Sequence, residues 1–134
     1  MELNASDCQN IRVLLVEDEL LIAEWVAECL SEQGFIVHTA SNAGDALRHL
    51  AAAPVDVLFT DINLPGGMDG TGLAREARAL LPHLPVIYAS AWAPISDLQG
   101  RVAGARFLRK PYEPEEAGRL IAGAFQTAKI PAFA

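Results

Sequence analysis

The chain has 134 residues, about one domain's worth, with 51% apolar and 20% charged residues. That composition is globular rather than disordered, and a chain of this size buries about two-thirds of its unfolded surface, enough for a core without staples. Ten basic against seventeen acidic residues leave a net charge of −7, which argues against a surface that wraps nucleic acid.

Residues 1–10 read as an N-terminal extension. The start, Met1-Glu-Leu-Asn-Ala-Ser-Asp7, lacks the basic and apolar stretches of a signal peptide. Arg12-Val-Leu-Leu-Val16 is a short apolar run of the kind a buried parallel strand requires. The apolar stretch from Val13 to Leu30 is broken by Glu17, Asp18, Glu19, Glu24 and Glu28, so it does not suit a bilayer. A helix follows instead, with Ile22, Val26 and Leu30 at i+4 spacing, Trp25 and Cys29 widening the stripe, and Glu24, Glu28 and Glu32 facing water. Gly34 ends it as a left-handed cap. Cys8 and Cys29 are too few for a disulfide framework or a zinc site, which places the protein in a reducing cytoplasm.

Phe35 to Thr39 reads as the second strand. Asn42 caps a helix whose inner face is Ala43, Ala46, Leu47 and Leu50. Val55 to Thr60 is the third strand, and Asp61 to Gly70 is a loop by its Pro and Gly content. Leu73, Ala77, Leu80 and Leu81 mark a third helix, bracketed by Pro82 and Pro85. Val86 to Ser90 is the fourth strand, a weak helix lies between Pro94 and Val102, and Ala105 to Leu108 is the fifth strand. The last helix runs from Glu113 to Ala128, with Ala117, Leu120, Ile121 and Ala124 inward; residues 129–134 form a tail.

Strands alternating with helices predict one α/β domain over residues 11–128: a doubly wound, five-stranded parallel sheet with helices on both faces. In such sheets ligands bind beyond the carboxyl ends of the strands. Glu17 and Asp18 follow strand one, Asp61 strand three, Ser90 strand four and Lys110 strand five. In the order 2-1-3-4-5, strands one and three are neighbours and the acids converge. Three carboxylates in one crevice raise one another's pKa values. Mg²⁺ relieves that cost with two carboxylates, a backbone carbonyl and waters. A remaining carboxylate can attack a phosphoryl group, with Lys110 and the metal supplying positive charge and the Ser90 hydroxyl a donor. Each residue alone also has a bland role: Asp18 as a helix cap, Ser90 in a turn, Lys110 as an edge-strand charge. The conjunction is far harder to meet by accident.

The residues Val13-Leu-Leu-Val-Glu-Asp-Glu19, Phe59-Thr-Asp-Ile-Asn-Leu-Pro65, Ser90-Ala91 and Lys110-Pro111 resemble the receiver domain of two-component response regulators. The resemblance implies a flavodoxin-like fold. It implies that Asp61 accepts a phosphoryl group from the phosphohistidine of a histidine kinase or a histidine phosphotransfer protein. It also implies that Glu17 and Asp18, with Asp61 and the backbone carbonyl of Asn63, hold Mg²⁺. By the same resemblance Lys110 pairs with the phosphoryl oxygens, Ser90 is a switch hydroxyl and Phe107 an aromatic switch. The family also tends to have a cis peptide at Lys110-Pro111.

Three features depart from the family pattern. The loop Pro65-Gly-Gly-Met-Asp-Gly70 carries one residue more than the common form. Only twenty positions separate Ser90 from Lys110, and Pro94 and Gly100 weaken the fourth helix between them. Trp92, two residues after Ser90, either modulates dephosphorylation by hindering water or is a packing residue. Arg101, Arg106 and Arg109 either solvate an edge strand or form a docking patch, for an acidic partner or for a homodimer through the fourth helix, fifth strand and last helix. His38, His49 and His83 show no metal spacing. The expected protein is a stand-alone, single-domain response regulator, not an enzyme. It signals to a downstream protein by phosphorylation-dependent binding or by phosphorelay, with no nucleic-acid or membrane partner. The alternatives are a receiver excised from a hybrid histidine kinase and a small aspartate-nucleophile phosphatase. The phosphatase is disfavoured because the acceptor follows the third strand as Asp61-x-Asn63 rather than the first as Asp-x-Asp.

Overall fold

The computed structural model describes residues 10–91 and 100–128. Five parallel strands, β1 (Arg12–Val16), β2 (Ile36–Ala40), β3 (Val57–Asp61), β4 (Val86–Ser90) and β5 (Arg106–Arg109), form one sheet in the order β2-β1-β3-β4-β5. Four helices lie among the described residues: α1 (Leu20–Glu32), α2 (Ala43–Ala52), α3 (Gly70–Leu80) and α4 (Pro114–Ala128). Residues 92–99, which hold Trp92 and most of the expected fourth helix, lie outside the described part; Gly100, Arg101 and Val102 are not helical.

Strand alternation splits the core into two layers. Val13, Leu15, Val57, Phe59, Ile87, Ala89 and Leu108 face α1 and α4, where Val26, Leu30, Ala117 and Ile121 meet them. Leu14, Val16, Leu58, Val86 and Tyr88 face α2 and α3, where Ala43, Ala46, Leu73 and Ala77 meet them. The middle strands are buried on both faces, which is why they are continuous apolar runs.

Local signals set the helix ends. Asn42 Oδ1 accepts the Asp45 amide at 2.8 Å and Asp69 Oδ1 accepts the Gly72 amide at 2.9 Å, each capping a helix start. Pro114 opens α4, with Glu115 and Glu116 in its first turn, where a missing amide costs nothing and the helix dipole favours acids. Gly34 sits at φ 107° just past α1, the cap the sequence predicts.

Trp25 departs from the sequence expectation. It does not widen the buried stripe of α1 but is 53% exposed, while Ala23 takes the inward position with Val26 and Leu30. The α1 helix is rotated toward its small residue, so Trp25 and Leu21 share its outer side. Strand ends also shift by one or two residues: β3 runs through Asp61 rather than stopping at Thr60, and β5 reaches Arg109.

Candidate functional site

The period-two rule places the polar residues at the rim. Val13 and Leu15 lead to Glu17, Phe59 to Asp61 and Leu108 to Lys110, three rows that point to the same side of the sheet. Backbone pairing continues past the strands to hold them there. The Glu17 amide donates to the Ala40 carbonyl at 3.0 Å and the Lys110 amide to the Ser90 carbonyl at 2.9 Å. Lys110-Pro111 is a cis peptide.

At the rim, Lys110 Nζ lies 2.9 Å from an Asp61 carboxylate oxygen and 3.0 Å from Glu17 Oε1. Glu17 and Asp61 are buried, at 3% and 7% exposure, whereas Asp18 is exposed. One carboxylate oxygen from each of Glu17, Asp18 and Asp61 falls within a span of 4.8 Å. With Asn63, Ser90 and Lys110 these residues line a cleft of about 350 Å³. The structure thus brings together Glu17, Asp18, Asp61, Asn63, Ser90 and Lys110. Phe107 stands apart, deeper in β5, with its ring 5.5 Å from that of Tyr88 and the Arg101 guanidinium 5.6 Å from its own centre. Trp92 lies outside the described residues.

The electrostatics follow from burial. Desolvation pushes Asp61 up to about 7; the Lys110 ammonium pulls it back, and Glu17 pushes it further up. Burial also raises Glu17, but hydrogen bonds to the Asp61 carboxyl, from the Glu19 amide and from Lys110 bring it below the ordinary range. Of the two carboxyls, Asp61 is the one that burial holds above its ordinary value. Burial lowers Lys110, yet its bonds to Asp61 and Glu17 keep it raised and charged. Three acids face one ammonium, all with hard oxygen donors, and that set fits Mg²⁺.

Three supporting residues escaped the sequence reading. The Glu19 amide donates to Glu17 Oε2 at 3.0 Å, which orients that carboxylate and covers a free helix-start amide. Gly70 donates its amide to the Ile62 carbonyl at 2.6 Å, and a Cβ there would overlap the Asp61 carbonyl oxygen. The glycine after Asp69 was visible in the sequence, but no spacing rule marks it as pressed on Asp61. The Tyr112 ring packs 5.5 Å from Phe59 beneath the acids. Burial, and then the Asp61 and Glu17 carboxylates, hold its phenol well above the ordinary value.

The arginine run divides. Arg106 donates to Thr127 Oγ1 at 2.9 Å on α4, Arg101 lies over Phe107, and Arg109 is exposed. Among the described residues no helix is long and apolar enough to cross a membrane.

Residues 13–122 match the family model described as the response regulator receiver domain. The chain is 36% identical to the transcriptional regulatory protein QseB of Escherichia coli O157:H7 over 84% of this chain and 52% of that protein. It is also 36% identical to the DNA-binding transcriptional regulator NtrC of Escherichia coli K12, over 81% of this chain and 24% of that protein. The chain thus spans between about a quarter and a half of the curated relatives it matches. Among solved structures, it resembles a response regulator receiver protein from Sinorhizobium medicae WSM419. That match has a TM-score of 0.83 and 26% identity, covering 90% of this chain and 98% of the other.

Proposed function

The chain belongs to the response regulator receiver domain family, and on that premise we propose that Asp61 accepts a phosphoryl group from a histidine kinase or a histidine phosphotransfer protein. The observation that carries this reading is the placement of the Lys110 ammonium, just past β5, against both Asp61 and Glu17, which lie 49 and 93 positions earlier in the chain. In the transfer, an Asp61 carboxylate oxygen forms the new O–P bond. The P–N bond of the phosphohistidine breaks, and its electron pair stays with the imidazole, which takes a proton from solvent. Lys110 follows the equatorial phosphoryl oxygens as negative charge moves onto Asp61. Glu17, Asp18, Asp61 and the Asn63 carbonyl would hold Mg²⁺, which supplies further charge neutralisation at the transferred group.

Ser90, buried at the end of β4 and lining the same cleft, then donates its hydroxyl to the phosphoryl group. Movement there biases Phe107 and the exposed end of β5, and a partner protein reads the shifted population or takes the phosphoryl group onward. Trp92 stands close in sequence to Ser90 and is proposed to limit the access of hydrolytic water. The only turnover in this reading is self-phosphorylation and self-dephosphorylation.

The test is incubation with a small phosphodonor and Mg²⁺, read by intact mass. One acid-labile phosphoryl group on the wild type, absent in Asp61→Asn and in excess chelator, is the expected result. Label retained by Asp61→Asn, or formed equally without a divalent ion, overturns the reading.

A further inference from the structure

Away from the rim, two histidines meet across the edge of the sheet. His38 lies in the middle of β2, the edge strand, paired in register with Leu14. Leu14 faces α2, and so does His38. His49 stands in the last turn of α2. The two imidazole ring centres are 4.7 Å apart, with planes tilted by 36°. Two imidazoles sharing one ion through bonds of about 2.0–2.1 Å bring their ring centres to on the order of 5 Å, the separation seen here.

A second observation bears on the same pair. His49 Nε2 is closed off from solvent and has no hydrogen-bond partner, the one such buried side-chain atom among the described residues. Buried polar atoms are nearly always satisfied, and no group of the described protein satisfies this one, so its partner is a water or an ion. Burial, and then the neighbouring His38, lower the pKa of His49, which leaves its ring neutral and able to donate a lone pair near neutral pH. Aligned sequence spacing could not have revealed this site. Its two ligands come from a strand and a helix and are unrelated in register.

We propose that His38 and His49 form a two-imidazole site for a borderline divalent transition metal, Zn²⁺, Ni²⁺ or Cu²⁺, with water reaching the ion from the exposed His38 side. Imidazole nitrogen selects these ions over Mg²⁺, which prefers the oxygen donors of the acid rim. The exposed His38 is the entry side, and the ion closes α2 against the edge strand.

The test is Ni²⁺ titration of the full chain by calorimetry in excess Mg²⁺, which keeps the acid rim filled. One ion per chain is expected, and His38→Gln and His49→Gln should each weaken it by at least about tenfold, the loss that even a supporting residue causes at a metal site. His38 is exposed, so His38→Gln tests the site without touching the core. In parallel, substoichiometric Cu²⁺ should broaden the amide signals of β2 and the end of α2 first, leaving those of Asp61 and Ile62 sharp. Affinity unchanged in either variant, or broadening centred on Asp61, overturns the proposal.

Discussion

Asp61 is a costly residue. It is buried beside another carboxylate, and burial together with Glu17 lifts it to about 7 despite Lys110. A carboxyl raised this far above its unfolded value binds its proton more tightly in the fold than in the open chain. Its favourable contribution is complete below about pH 4 and is lost as pH climbs through about 7. Asp61→Asn removes the ionisation and leaves Lys110 paired with Glu17. In the metal-free chain this variant should be more stable than the wild type by about 1 kcal/mol at about pH 8, in line with sites that trade stability for function. The gain should shrink toward zero near about pH 4. Urea unfolding at both pH values checks this. A gain that is equal at the two would contradict the upward shift of Asp61.

At the scale of elements, the β3–α3 connection is the part most tightly fitted to the site. Gly66 and Gly67 both have φ near +90° and open space around them, so the additional loop residue is taken up by backbone that only glycine adopts without strain. Gly70 is different: its backbone is pressed against the Asp61 carbonyl. Gly70→Ala forces β3 or the start of α3 to move, at a cost of about 1–3 kcal/mol. Phosphodonor labelling of the folded variant should be slower than that of Gly44→Ala on α2, whose added Cβ would make only ordinary contacts. Equal rates would show that the loop yields without moving Asp61. On the same face of the sheet as α3, the buried Tyr88 hydroxyl accepts the Val102 amide at 3.1 Å, and Arg75 and Arg78 hold the carbonyls of Gly100 and Ala103. The chain returning to β5 is thereby anchored beside Phe107. The sequence hinted at none of this, because Tyr88 read as one more apolar strand residue.

For the molecule as a whole, an ion held at the acid rim would tie folding to metal. Mg²⁺ held by the folded carboxylates and not by the open chain should stabilise the fold by about 2.7 kcal/mol when present at about 100 times its dissociation constant. Thermal unfolding with Mg²⁺ against chelator measures the shift. A melting temperature indifferent to Mg²⁺ would mean that the rim does not bind it. The overall plan was legible because each central strand is a continuous apolar run closed by a polar residue, as Val16 is followed by Glu17 and Ala89 by Ser90. Strand direction alone then gathers Glu17, Asp61 and Lys110. The outward face of Trp25 was not legible, since spacing counts apolar residues without choosing between a small inward alanine and a large outward ring. Contacts made across the fold, such as Gly70 on Asp61 or His38 on His49, have no trace in local pattern. The rim also carries a lesson about biosynthesis. Its acids leave the ribosome well ahead of their lysine, with 93 positions between Glu17 and Lys110. A nascent chain halted after β4 therefore lacks the ammonium that answers its carboxylates, and the rim is charge-balanced only when translation delivers the residue after the final strand.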